Sequence, residues 1–228
     1  MSLILYGAPL SPFVRKVDAV LREKGVEFEL ESVNIMPMPD WFKAISPARR
    51  IPVLRDTSVG EEGPTGTIPD SSAISAFIER KHPEPALYPS EPYAYGRALW
   101  YEEFADSELM TTIGMGIFRP IQFARFQGKE PDVATAKKTY AEKLPPRVDY
   151  FEGELEGRTF LVDDTLSIAD IALACMLTHL VLVAGPLDAA RWPNVAGHYG
   201  RMMERASFGP CVEICRKIVK QDPIDLGS

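Results

Sequence analysis

Three short stretches within the first 80 residues carry the chemistry of this chain: Leu10-Ser11-Pro12-Phe13, Arg50-Ile51-Pro52-Val53-Leu54 and Asp70-Ser71. Ser11-Pro12 closes an apolar run and opens an amphipathic helix, with serine as N-cap and proline at the first helical position. A hydroxyl at a helix start suits a thiol. A free thiol with a pKa of about 8.5 is mostly protonated at pH 7. The thiolate is the nucleophilic form, and both a donated hydrogen bond and the positive end of a helix favour it. Ser11 has no basic partner in sight, so it would assist a nucleophile rather than be one. Asp70-Ser71 opens a second helix, where a hydroxyl and a backbone N–H make an anion site. Between them, Ile51-Pro52 sets a proline in a strand-like run, which removes a ladder bond. In this order the three predict one small-molecule site: a thiol at Ser11, extended backbone at Ile51, a carboxylate at Ser71. Plain helix capping would use Ser11, Asp70 and Ser71 equally well.

The surrounding pattern supplies elements to hold them. Residues 2–6 predict a buried strand, and Phe13, Val14, Val17, Val20 and Leu21 follow helical spacing up to Gly25, a suitable helix-ending residue. Residues 26–33 predict a second strand, parallel to the first because a helix separates them. A short helix over 40–45, strands over 51–55 and 65–68 joined as a hairpin across a long acidic connection, and a helix over 71–81 with stripe Ala73, Ile74, Phe77 and Ile78 complete the run. The order β-α-β-α-β-β-α describes a thioredoxin-like domain over residues 1–82.

Residues 83–92 hold Pro83, Pro85, Pro89 and Pro92 and read as a linker. Residues 93–228 are helical in periodicity throughout, an all-helical C-terminal domain. Expected helices run over 93–115, over 132–143 with a break at Pro145-Pro146 and resumption over 147–155, over 167–183, from Pro193, and over 208–220. The 167–183 segment is apolar all round and predicts a buried central helix. Ser167 and Asp170 form a near capping box at its start.

Composition narrows the function. An apolar fraction of 46% and a charged fraction of 25% are ordinary for a soluble globular protein. A net charge of −7 argues against nucleic acid as a partner. Residues 1–55, with 8 basic and 6 acidic side chains, are +2, which leaves −9 for the remainder. No stretch approaches the roughly 18 apolar residues of a membrane span, and no signal peptide opens the chain. Three cysteines without metal-ligand spacing predict reduced thiols in the cytoplasm. His82, His179 and His198 lack ligand spacing, so no metal is expected.

With these elements the chain resembles the cytosolic glutathione transferases, which join a thioredoxin-like domain to an all-helical one. Ser11-Pro12-Phe13-Val14-Arg15-Lys16-Val17 is similar to the Ser-Pro or Cys-Pro helix start of the tau, omega, zeta and bacterial types. Ser46-Pro47-Ala48-Arg49-Arg50-Ile51-Pro52-Val53-Leu54 is similar to the family's Asn-Pro-x-Gly-Lys-Val-Pro-x-Leu, Asp70-Ser71 to its acidic-Ser pair, and Thr165–Asp170 to its C-domain capping motif. The resemblance implies glutathione as co-substrate, held by Phe13, Arg50, Ile51, Pro52, Asp70 and Ser71, with Ser11 as the catalytic group at the sulfur. It implies a cis bond before Pro52 and leaves Tyr6, near the end of the first strand, as a competing donor. Arg50 aligns with the lysine that reaches the glycyl carboxylate; Arg49 competes for that role. The second substrate is then a small apolar electrophile against the helical domain, where Tyr101, Phe104, Met110, Ile113, Met115 and Phe118 supply bulk, and the assembly is a homodimer. Three departures stand out: Arg49 and Ser46 replace Gly and Asn, the connection after residue 55 is long, and Pro145-Pro146 interrupts a helix. The implied reaction is conjugation, with a glutathione-dependent isomerase or peroxidase, or a non-catalytic adaptor, as alternatives.

Overall fold

A computed structural model of the chain describes residues 2–227. The chain divides into two compact units, residues 1–87 with 206–214, and residues 88–205 with 215–228.

The first unit is built on four strands in the order β2-β1-β3-β4. They are β1 (Leu3–Gly7), β2 (Phe28–Ser32), β3 (Val53–Asp56) and β4 (Thr67–Pro69). β1 and β2 are parallel, Leu5 facing Leu30, and α1 (Pro12–Glu23) crosses between them. β3 runs antiparallel to β1, with Tyr6 opposite Val53, and pairs antiparallel with β4. α2 (Asp40–Ile45) and α3 (Ser71–Lys81) complete the thioredoxin-like order. Val14, Val17, Leu21, Val53, Leu54, Ile74 and Ile78 are fully buried, so the apolar faces read from periodicity do form the core.

Two details differ from the sequence reading. β3 starts at Val53, so the cis Ile51-Pro52 bond precedes the strand instead of interrupting its ladder. The buried face of α3 is Ser71, Ile74, Ser75 and Ile78, while Ala73 is exposed and Phe77 half-buried. Ser75 fits there because its hydroxyl donates back to the Ser71 carbonyl at 2.8 Å.

The long connection from β3 to β4 is organised from inside. Arg55, 5% exposed, donates through its guanidinium to the carbonyls of Gly60 (3.1 Å), Thr65 (2.9 Å) and Gly63 (2.7 Å). One rigid fork of donors thereby satisfies carbonyls that the sheet cannot reach.

The second unit is helical. α4 (Pro92–Phe104) gives way to a π-wound segment, Ala105–Phe123, and a last turn, α5 (Ala124–Phe126). The helical path thus runs past residue 115, where sequence periodicity ended it, and changes pitch at Ala105. α6 (Val133–Glu142) and α7 (Pro145–Glu154) follow. Pro145-Pro146 opens α7 rather than breaking a helix, at first-turn positions where a missing N–H costs nothing. α8 (Ile168–Ala184) is buried along almost its whole length, and α9 (Pro193–Met203) follows it; α10 (Gly209–Val219) starts within residues 206–214 of the first unit and ends in the second.

At the start of α8 one carboxylate gathers four hydrogen bonds. Asp170 accepts from the N–H of Leu161 (2.9 Å) and of Ser167 (2.9 Å), from Ser167 Oγ (3.0 Å), and pairs with His198 Nε2 (2.9 Å). Asp170 and His198 are both 0% exposed. Among the described residues no helix is long and apolar enough to cross a membrane, and no cluster of His, Cys, Asp and Glu is arranged to hold a metal ion.

Candidate glutathione site

Ser11 caps α1 in extended backbone, φ −67° and ψ 129°, with Pro12 starting the helix. Its N–H donates to the Ala8 carbonyl at 2.9 Å, and its carbonyl receives the Arg15 N–H at 3.0 Å. The side chain, half-buried, accepts from the Val14 N–H at 3.5 Å, a long cap bond. Among the described residues its hydroxyl proton is donated to no protein group. Phe13 beside it is half-buried.

Gly7, the last residue of β1, brings the next part of the site alongside. A Cβ there would lie 2.4 Å from Val14 Cγ2 and 3.5 Å from Ile51 Cβ. The absence of a side chain thus lets the end of β1, the first turn of α1 and Ile51 close together.

Before Ile51 the chain makes a tight turn. Ser46, which stands where the family pattern has Asn, holds it: Ser46 Oγ donates to the Arg50 carbonyl (2.7 Å) and accepts from the Arg50 N–H (3.0 Å). Arg49 takes φ +53°, a left-handed conformation that glycine adopts without strain, which is the physical sense of the glycine in the family pattern. Both arginine side chains are exposed.

The carbonyl of Pro52 accepts from the Asp70 N–H at 3.4 Å and ties this strand entry to the start of α3. Asp70 has φ +83° and caps α3, its Oδ1 accepting from Ser72 N–H (3.0 Å) and Ala73 N–H (3.1 Å). One oxygen is committed to the helix, and the Asp70 side chain is exposed. Ser71 is 4% exposed, at the first position of the helix.

Gly7 contacts and the Pro52–Asp70 bond therefore join the three sequence stretches in one region of the first unit. Tyr6 is placed otherwise. It is 8% exposed and packs with Val33, Phe42, Ile45 and Val53, its ring 5.4 Å from that of Trp41 in an edge contact. Of the apolar residues of the helical unit, Tyr101, Ile113 and Phe118 are buried, Phe104 and Met110 half-buried, and Met115 is 50% exposed. Tyr101 and Phe104 pack against Phe151, and burial together with a hydrogen bond to Glu154 pushes the Tyr101 phenol above its ordinary pKa.

Sequence reasoning missed the charged side of α1. Arg15 and Lys16 are 0% exposed and Asp18 is 1% exposed, although none belongs to the apolar stripe. Burial raises the Asp18 carboxyl pKa, opposed by its hydrogen bond to Arg22 and by the charge of Arg15. Lys16 Nζ donates to Ser72 Oγ at 3.0 Å, which links α1 to the first turn of α3. Three charged residues in a helix with basic neighbours on both sides give no pattern that separates them from a solvated face.

Comparisons with known proteins place the chain in a family. Residues 5–86 match the model of the glutathione S-transferase N-terminal domain, and residues 108–206 that of the C-terminal domain. Glutathione S-transferase 3 of Zea mays is 32% identical over 198 residues, 84% of this chain and 81% of that protein. The probable cytosolic glutathione S-transferase DHAR1 of Oryza sativa is 29% identical over 203 residues, 86% of this chain and 81% of that protein. A crystal structure of a glutathione S-transferase from Methylobacillus flagellatus with glutathione bound superposes with a TM-score of 0.74 at 30% identity, covering 92% of this chain and 98% of that one. By its two matched domains and by these relatives, the chain belongs to the glutathione S-transferase family, enzymes that take glutathione as co-substrate.

Proposed function

We propose that the chain conjugates the glutathione thiolate to a small, apolar electrophile. The observation that carries this reading is the meeting of a hydroxyl with an undonated proton, an open strand entry and a helix start in one region of the first unit. Glutathione is a thiol joined by extended backbone to a carboxylate and an ammonium, in matching order. Ser11 donates to the sulfur and favours its ionised form. Phe13 and Pro52 flank the ligand, and the backbone of Ile51 pairs with its cysteinyl unit. The Ser71 hydroxyl and N–H take the γ-glutamyl carboxylate, and the outer oxygen of Asp70 takes the adjoining ammonium. Arg50, or Arg49 beside it, reaches the glycyl carboxylate.

The thiol gives its proton to solvent, the sulfur attacks the electrophilic carbon, and the leaving group departs with the bonding pair. Holding both reactants supplies proximity. Serine at position 11 favours this reaction over disulfide chemistry, since a hydroxyl cannot form a mixed disulfide with glutathione. The same reading makes the protein a detoxifying enzyme of the cytoplasm, with its three buried cysteines as free thiols. It works as a homodimer, visible in light scattering as double the 25.4 kDa chain mass.

Titration calorimetry tests the binding half. The wild type is expected to bind glutathione at millimolar concentration or below. Ser71→Ala should lose about 1.5–3 kcal/mol as a charge-assisted hydrogen bond disappears. No heat from the wild type at millimolar glutathione would remove the proposal. A chromogenic aryl halide then reads conjugation itself.

A further inference from the structure

After α9 the chain returns to the first unit, to which residues 206–214 belong. The returning segment meets both ends of α1. Ser207, buried, donates its hydroxyl to Glu23 Oε1, and Glu23 is the last residue of α1. Cys211, also buried, donates its thiol to the Pro9 carbonyl at 3.7 Å, and Pro9 stands two residues ahead of Ser11. Phe208 and Val212 are buried alongside and hold the segment by packing. Proline has no N–H, so its backbone ties the loop between β1 and α1 only through its carbonyl. The Ser11 N–H donates to the Ala8 carbonyl at 2.9 Å and couples Ser11 to that loop. The cap bond at Ser11, 3.5 Å, is too long to fix the hydroxyl by itself. Where the hydroxyl sits is therefore set by the loop that leads into it.

We infer that residues 207–211 form a strap that positions Ser11 for the glutathione sulfur, with Cys211 as its principal contact. Cys211 is a positioning residue: it acts through the Pro9 carbonyl and the loop, not on the ligand. Ser207 steadies the same helix from its far end. The inference rests on the glutathione reading above and deepens it, because a residue 202 positions from Pro9 in sequence then governs the donor to the sulfur. A thiol is a weak donor, so the strap tunes placement and does not carry the fold. Misplacing a catalytic group by about 1 Å costs on the order of a hundredfold in rate. Loosening one weak bond moves the loop by less, which sets the expected effect at a few-fold.

The test uses the full-length chain as wild type, Cys211→Ala, Cys211→Ser, Ser207→Ala, Ser11→Ala and the double variant Ser11→Ala/Cys211→Ala. Thiolate absorbance against pH gives the pKa of bound glutathione, a chromogenic aryl halide gives kcat and the KM for glutathione, and thermal melting follows stability. Cys211→Ala should raise the bound thiol pKa by about half a unit and lower kcat about threefold at a pH below both values. The KM for glutathione should stay within about twofold, since the peptide contacts are elsewhere. Cys211→Ser keeps a donor to the Pro9 carbonyl and should recover most of the loss. Ser207→Ala should act in the same direction by about twofold. In the Ser11→Ala background, Cys211→Ala should leave the thiol pKa where it is, because the strap then has no donor to place. An unchanged thiol pKa in Cys211→Ala, with or without a lower melting temperature, overturns the inference. So does equal impairment by alanine and serine at position 211, or a full additional shift in the double variant. If Cys211→Ala does not fold, an unchanged thiol pKa and kcat in Ser207→Ala overturns it instead. A wild type that binds no glutathione overturns the glutathione reading and this inference with it; a wild type that ionises glutathione through Ser11 while the strap variants match it overturns the strap alone.

Discussion

Ser11 and Ser167 both cap helices, and they are used in opposite ways. Ser167, at the start of α8, is 2% exposed, and both its N–H and its hydroxyl donate to Asp170 at 2.9 and 3.0 Å. Ser11, at the start of α1, is half-buried, receives one long bond of 3.5 Å from Val14, and keeps its proton. A hydroxyl has one proton and two lone pairs to place. At Ser167 the proton is spent inside the fold; at Ser11 it is left for something else. The same residue type at the same helix position thus spends its proton inside the fold in one unit and leaves it undonated in the other. The difference lies in what surrounds the cap: a buried carboxylate at one, a half-buried loop end without an acceptor for the hydroxyl at the other.

The largest expected effect breaks the structural side of this contrast. Asp170→Ala strands the Leu161 and Ser167 N–H groups and His198 Nε2 in a buried region. Urea unfolding should show a loss of about 3–5 kcal/mol, the range for deleting one partner of a buried network. Glutathione affinity, measured where the variant is still folded, should hold. A variant of near wild-type stability would show that the buried cap is dispensable and dissolve the contrast.

Ser11→Ala breaks the other side. Its effect on stability should be about 0.5–1 kcal/mol, the low end for a cap, because the bond it removes is long. Its effect on chemistry should be larger. Losing a donor to the sulfur raises the pKa of bound glutathione, and each unit corresponds to about 1.4 kcal/mol between thiol and thiolate. With a one-unit rise, conjugation at a pH below both pKa values falls about tenfold, and the deficit closes as pH passes the raised pKa and both enzymes hold thiolate. Thiolate absorbance against pH reads this directly. An unshifted midpoint with full activity would hand the sulfur to Tyr6 or to a backbone N–H of α1.

The smallest effect sharpens the comparison outside the caps. Arg49 at φ +53° is a strained turn residue whose side chain is exposed. Arg49→Gly should raise the melting free energy by about 1 kcal/mol by relieving the left-handed conformation. If the Michaelis constant for glutathione stays level, Arg49 is a structural burden and Arg50 takes the glycyl carboxylate. A rise in that constant would mark Arg49 as retained for binding in spite of its strain.

Much of this was legible in the residues. The β1–α1–β2 unit and the hairpin follow from period-two and period-3.6 runs separated by Gly25 and by proline clusters, since apolar faces must alternate in that way to be buried. Ser11, Ile51 and Asp70-Ser71 could be picked out because caps and strand prolines have local signatures. Lys16 could not. A lysine inside a helix looks solvated until a second helix closes over it, and that contact is set by tertiary packing. Pro145-Pro146 misled for a related reason: the same dipeptide ends one helix or begins another, and only the backbone before it decides. The left-handed Arg49 was visible only as a missing glycine, a mismatch with a pattern rather than a signal of its own.

The guanidinium of Arg55 inside the β3–β4 connection has a consequence for the history of the sequence. Three carbonyls converge on one planar fork, a geometry lysine cannot copy. An insertion of this length would otherwise leave its carbonyls in search of partners, so the insertion and the arginine form one heritable unit. Relatives that share the long connection should carry arginine at the matching place, and those with a short connection should be free to drift there.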